Sequence, residues 1–255
     1  MEVQNLSAKY TGGTFALVYG GSGTGKTDLC GTLGELGKVL IIDIDMGGLT
    51  ILNSPRVKPH HPNICMVSFD KFGDLDSAYK LCQKNDPAEW KKVLGDDYTF
   101  DEPFDWVVWD SWSELQWKML QELRKNENLL TAGGKLNFRK NIGIQHWGML
   151  TDLNKLSIES LRDVSKTTGL NQVFVMLETM SKDELSGQVF GGPAIHGKLV
   201  NEFPGYFNIV VHTYTDLSGK YCVSTKSKGR WPAKTRLGNP VDGAGYSAKD
   251  LFVAK

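Results

Sequence analysis

The sequence predicts an α/β domain whose mainly parallel, twisted sheet is covered by helices and ends in a C-terminal antiparallel hairpin. Three observations carry that expectation. Short apolar runs rich in strand formers alternate with stretches of helical periodicity. Between the first strand and the first helix lies Gly20-Gly21-Ser22-Gly23-Thr24-Gly25-Lys26-Thr27, a full match to G-x-x-x-x-G-K-[ST]. The last two strand-like runs, 207–214 and 221–226, are separated by Asp216-Leu-Ser-Gly-Lys220, which reads as a hairpin turn.

Taken in order, the apolar run Phe15–Tyr19 is the first strand, and Asp28–Leu33 continues the phosphate loop as a helix. Val39–Ile42 is a buried strand that ends in Asp43-Ile-Asp45 and Gly47-Gly48. Ile64–Phe69 and Trp106–Trp109 are further strands, the second ending in Asp110-Ser111. From Ser111 to Asn126, Trp112, Leu115, Met119 and Leu123 fall three or four apart, one helical stripe. A second long helix is expected from Ile144 to about Val164, with Trp147, Leu150, Leu153, Leu156, Leu161 and Val164 facing inward. Gln172–Leu177 is the next strand, followed by a long loop over 181–204 and then the hairpin. An equally long loop spans 125–147.

The 255 residues are 40% hydrophobic, enough for one substantial core, so a single domain over 1–255 is expected. Twenty-nine basic residues balance twenty-nine acidic ones, so any polyanion surface must be local. Cys30, Cys65, Cys82 and Cys222 have no C-x-x-C spacing and read as reduced thiols. No apolar run approaches membrane-spanning length and no signal-peptide pattern opens the chain, which points to a soluble cytoplasmic protein without membrane contact.

The glycines of the loop let successive backbone N–H groups turn inward around phosphates, and the helix start adds its positive end. Lys26 then supplies a charge to the β/γ-phosphates and Thr27 a hydroxyl to Mg²⁺. The loop therefore predicts a nucleoside triphosphate ligand. Asp110, an acid at a strand's carboxyl end, suits the Mg²⁺ shell, while Ser111 suits a helix cap. Hydrolysis also needs a group that orients or deprotonates water. Asp45 is preferred to Asp43 for that role, although both also read as solvated loop acids.

These pieces in this order resemble the RecA-like P-loop ATPase core. More narrowly, they resemble the phage nucleotide-binding proteins that include Sak-type single-strand annealing ATPases. The matching segments are Gly20–Thr27, Ile41–Gly48, Val107–Ser111, Lys182-Asp183 with Gly187, Gly197-Lys198 and Ala233-Lys-Thr-Arg236. Val175-Met-Leu-Glu178-Thr179 departs from the family, whose fourth strand ends in a polar sensor or His. The resemblance implies ATP and Mg²⁺ as cofactors and hydrolysis stimulated by single-stranded DNA. It further implies annealing or homologous recombination in a host cytoplasm, a single-strand binding protein as partner, and a homo-oligomer, ring or filament. It places Lys234 and Arg236 where a subunit reaches its neighbour's γ-phosphate. Between Gly219 and Gly238 the charged residues are Lys220, Lys226, Lys228, Arg230, Lys234 and Arg236, with no acid among them.

Binding of single-stranded DNA needs cations along the backbone and aromatic faces for the bases. Both long loops carry that mixture, and Lys135, Arg139, Lys140, Lys182 and Lys198 are the candidate contacts. A small-molecule phosphotransferase and an ATP-switched assembly or signalling protein without DNA contact are the alternatives. Neither an arginine-rich lid nor an acceptor pocket is legible for the first, and the neutral charge keeps the second open.

Overall fold

The computed structural model describes residues 12–95, 98, 100–126, 144–182, 187, 189–197, 199–229, 231–238 and 240–253. Its frame is a nine-stranded sheet with the order β3-β2-β4-β5-β1-β7-β8-β9, and β6 paired to the far end of β5. The parallel strands are β1 (Phe15–Gly20), β2 (Val39–Asp43), β3 (Ile64–Ser68), β4 (Trp106–Asp110), β5 (Asn171–Lys182) and β7 (Ile209–Thr215). Antiparallel pairing adds β6 (Val189–Pro193), β8 (Tyr221–Ser224) and β9 (Asp242–Ala244). The expected α/β architecture with a C-terminal antiparallel hairpin is the observed one. Asp216 closes that hairpin, accepting from the backbone N–H groups of Ser218 and Lys220.

Alternation along each central strand builds two cores, because successive side chains point to opposite faces. Phe15, Leu17, Tyr19, Val107, Trp109, Phe174 and Met176 face one way. There they meet α3 (Asp74–Lys84), α4 (Pro87–Leu94), α5 (Trp112–Asn126) and α6 (Ile144–Thr168). Ala16, Val18, Ile41, Val108, Val173 and Val175 face the other way. That side is covered by α1 (Lys26–Gly31), α2 (Leu49–Asn53) and α8 (Ala248–Phe252). With both faces covered, β1 and β4 are buried along their whole length, as strands of a parallel sheet must be.

Several sequence expectations change in detail. The inward stripe of α6 breaks at Leu156, which is 61% exposed. The segment 181–204 is not an open loop. β5 runs on to Lys182 and turns back as β6, and α7 (Leu199–Glu202) and a 3₁₀ turn at Phe203–Tyr206 follow. Phe203 there is fully buried core rather than a face for a base. Of the other expected loop, 125–147, the first residues belong to α5 and the last to α6, and residues 127–143 lie outside the described ones.

Candidate nucleotide site

The phosphate loop sits at the carboxyl edge of the sheet, between β1 and α1. Two of its glycines are obligatory for different reasons. A Cβ on Gly20 would lie 2.2 Å from the Thr213 carbonyl, because β7 runs directly alongside. Gly25 has φ 82°, in the left-handed region, and a Cβ there would press on the Tyr221 ring. Thr24 braces the loop through hydroxyl contacts with the Gly21 carbonyl at 2.8 Å and Thr213 Oγ1 at 2.7 Å. Ser22 and Gly23, at the tip, are exposed.

Lys26 is buried, not exposed as a lysine awaiting phosphate would be expected to be. Its ammonium donates to the carbonyls of Gly20 at 3.0 Å and Gly21 at 2.7 Å. Burial lowers its pKa, and the charges of Asp110, Asp45 and Glu178 oppose that shift. Two weak acceptors thus hold the cation where phosphate oxygens, carrying full charge, would displace them.

Thr27 donates its hydroxyl to Asp110 Oδ2 at 2.7 Å, across 83 positions of sequence. Asp110 closes β4 in register with Asp43 on β2, and both lie on the face that α1 covers. Burial, with Asp45 and Asp43 adding, pushes the Asp110 carboxyl up to about 7. The Thr27 hydroxyl and Lys26 pull it down. Ser111 accepts from the Glu114 N–H at 3.3 Å and so caps α5, as its position suggested.

The two acids after β2 do different things. Asp43 accepts from the backbone N–H groups of Gly47 at 2.9 Å and Gly48 at 3.1 Å, so its carboxylate is occupied in holding the turn. Asp45 is exposed, and of the described backbone donors it takes only the Gly47 N–H at 3.1 Å. A Cβ on Gly47 would lie 2.9 Å from Asp45 Oδ1 and 3.9 Å from Thr27 Oγ1, which puts the free acid beside the loop. Among the described residues no three acids, cysteines or histidines come together as a metal cage. Thr27 and Asp110 nevertheless fit Mg²⁺, which takes few protein ligands and fills its octahedron with phosphate and water.

Glu178 stands one residue past Leu177, which pairs with Gly20, but it belongs to the sheet face opposite α1. Its carboxylate accepts from Trp231 Nε1 and contacts His212 Nε2 at 3.4 Å. His212 stacks on Tyr19, whose hydroxyl donates to the Pro232 carbonyl at 2.8 Å. This network was not legible in the sequence, since each of its hydrogen-bonded pairs is separated by 34 positions or more.

Lys234 and Arg236 lie apart from these groups. Lys234 exchanges backbone hydrogen bonds with Val210, which pairs with β1 at Leu17, three residues below Gly20 and so about 10 Å from the loop's start. Burial lowers the Lys234 pKa and Arg236 adds to that, and among the described residues neither cation has an acid partner. Lys228 does have one, Asp242 at 2.7 Å, so part of the basic segment is a solvated ion pair. Of the candidate DNA contacts, Lys135, Arg139, Lys140 and Lys198 lie outside the described residues, and Lys182 is described only in its backbone, at the end of β5. No helix among the described residues is long and apolar enough to cross a membrane.

No curated protein matches the chain. Among solved structures it is similar to that of the RadB recombinase, at 14% identity and a TM-score of 0.47, over 88% of this chain and 86% of that one. A family model described as an AAA domain matches residues 13–237. That span takes in the phosphate loop, Asp45, Asp110 and Arg236. The chain belongs to the AAA domain family.

Proposed function

We propose that the chain is a Mg²⁺-dependent ATPase with a RecA-like core that binds single-stranded DNA and serves annealing or homologous recombination of a phage. The 2.7 Å bond from Thr27 to Asp110, beside a lysine cradled in the loop, carries the nucleotide half of this reading. A bound Mg²⁺ would neutralise charge on the β- and γ-phosphate oxygens. Thr27 and Asp110 hold it, Lys26 exchanges two carbonyls for phosphate oxygens, and Asp45 orients the attacking water.

The assembly half rests on position and charge. Lys234 and Arg236 are too far down the sheet to serve their own loop, and no acid among the described residues neutralises them, so they act on the neighbour's γ-phosphate in a homo-oligomer. The polynucleotide half rests on the cations and aromatic residues of two stretches of the sequence, 125–147 and 181–204. Lys182 ends β5 and Lys198 precedes α7, while Lys135, Arg139 and Lys140 lie between α5 and α6. A single-strand binding protein is the natural partner of such an activity.

ATP turnover measured with and without single-stranded DNA tests the reading. Stimulation by the strand is expected. Turnover that ignores DNA would leave an ATP-switched assembly protein, and absence of turnover and of ATP binding would remove the nucleotide reading itself.

A further inference from the structure

We propose that Tyr221 is the platform on which the base of the bound nucleotide stacks, an inference that rests on the nucleotide reading above. The acids define one end of the ligand. Asp110 and Asp43 lie on the α1 face of β4 and β2. The sheet order β2-β4-β5-β1-β7-β8 therefore puts the metal and γ-phosphate end on the β4 side of the loop. The nucleoside must leave on the other side, over β7 and β8.

Tyr221 stands there, on the same face. It opens β8 opposite Thr215, two residues beyond Thr213, which pairs with Gly20. Two residues further along β8, Val223 belongs to the α1-side core, so alternation turns Tyr221 to that side as well. The ring lies against the loop: a Cβ on Gly25 would come within 3.1 Å of Cγ and 3.3 Å of Cδ2. The residue is 57% exposed, and among the described residues its ring has no aromatic partner. Next to it, the Cys222 to Ala244 register brings Gly245, which has open space where a side chain would be. A large aromatic side chain left open to water at the rim of a phosphate loop, beside a glycine, is a slot for a flat ring.

The competing role is a brace that keeps Gly25 in place, and the two roles separate by ligand. ATP and inorganic tripolyphosphate share the phosphates, and only ATP carries a base. With Mg²⁺ present, Tyr221→Ala should weaken ATP binding by about ten-fold, within what stacking on an aromatic ring is worth per base. Its tripolyphosphate affinity should match wild type, and Tyr221→Phe should bind both ligands as wild type does. Equal loss of both ligands in Tyr221→Ala makes the residue a brace and overturns the proposal, as does unchanged ATP affinity. A wild-type protein that binds neither ligand overturns the nucleotide reading, a different failure.

Discussion

Lys26 shows how the site keeps a cation ready. Its ammonium sits among backbone carbonyls, and burial rather than any partner sets its pKa direction. Removing it relieves a desolvation cost, so Lys26→Ala should fold with an unchanged or slightly raised melting temperature. Nucleotide turnover should fall on the order of 10²-fold or more, as when a preorganised donor to developing charge is lost. Unchanged turnover would sink the site assignment. His212 makes a separate prediction about pH. Burial lowers its pKa, against the pull of Glu178, and Tyr19, Tyr214, Trp231 and Lys228 complete its surroundings. The unfolded chain takes up a proton near pH ~6.5, before the folded protein does. Stability is therefore fully present above that pH and is lost as pH falls toward the folded pKa. The raised Asp110 carboxyl works the other way over the same range, so in denaturant titrations between about pH 8 and pH 5 the His212 loss is the difference between wild type and His212→Gln. An identical slope in the variant would assign the loss to other groups.

At the scale of elements, the turn after β2 separates two neighbouring acids by their hydrogen bonds. Asp43→Asn faces an amide N–H₂ to the Gly47 or Gly48 N–H and should lower stability by roughly 1 kcal/mol or more. Asp45→Asn should melt like wild type and keep its ATP affinity, while kcat falls by about 10²-fold or more, since orienting water matters only in the chemical step. The reverse pattern would exchange their roles. The β5–β6 hairpin depends on a close approach of Trp231, whose Nε1 would lie 2.0 Å from a Cβ on Gly191. Gly191→Ala should therefore cost about 1–3 kcal/mol by thermal or denaturant unfolding. A neutral result would mean that Trp231 is free to swing away from Glu178.

The whole molecule raises the question of where Arg236 acts. A subunit carrying Arg236→Ala mixed with one carrying Asp45→Asn should recover part of the lost turnover, because some interfaces then pair an intact acid with an intact arginine. Such a contact is heterologous, so it closes into a ring or runs on as a filament. Charge supplied in trans to a phosphoryl group can be worth on the order of 10³-fold in rate. If Arg236→Ala alone changes turnover less than a few-fold, the residue is a surface charge. The fold was legible because apolar runs and helical stripes are local signals. The β5–β6 hairpin was not, since the mostly polar run 181–188 and Gly191-Gly192-Pro193 read as loop, and β6 exists through its pairing with β5.

The sequence alone determined that a phosphate loop stands between a strand and a helix. It also determined that acids close the second and fourth strands and that a hairpin follows the last parallel strand, because spacing and residue chemistry act within a few positions. Tertiary structure decided what the chain can do with them. Register set Asp43 beside Asp110, the turn occupied Asp43 and left Asp45 open, and the sheet order put Tyr221 on the far side of the loop. It also turned Glu178 to the face away from α1, into the hands of His212 and Trp231. These contacts join residues far apart in the chain, and which of them form depends on strand pairing and on the face each side chain takes.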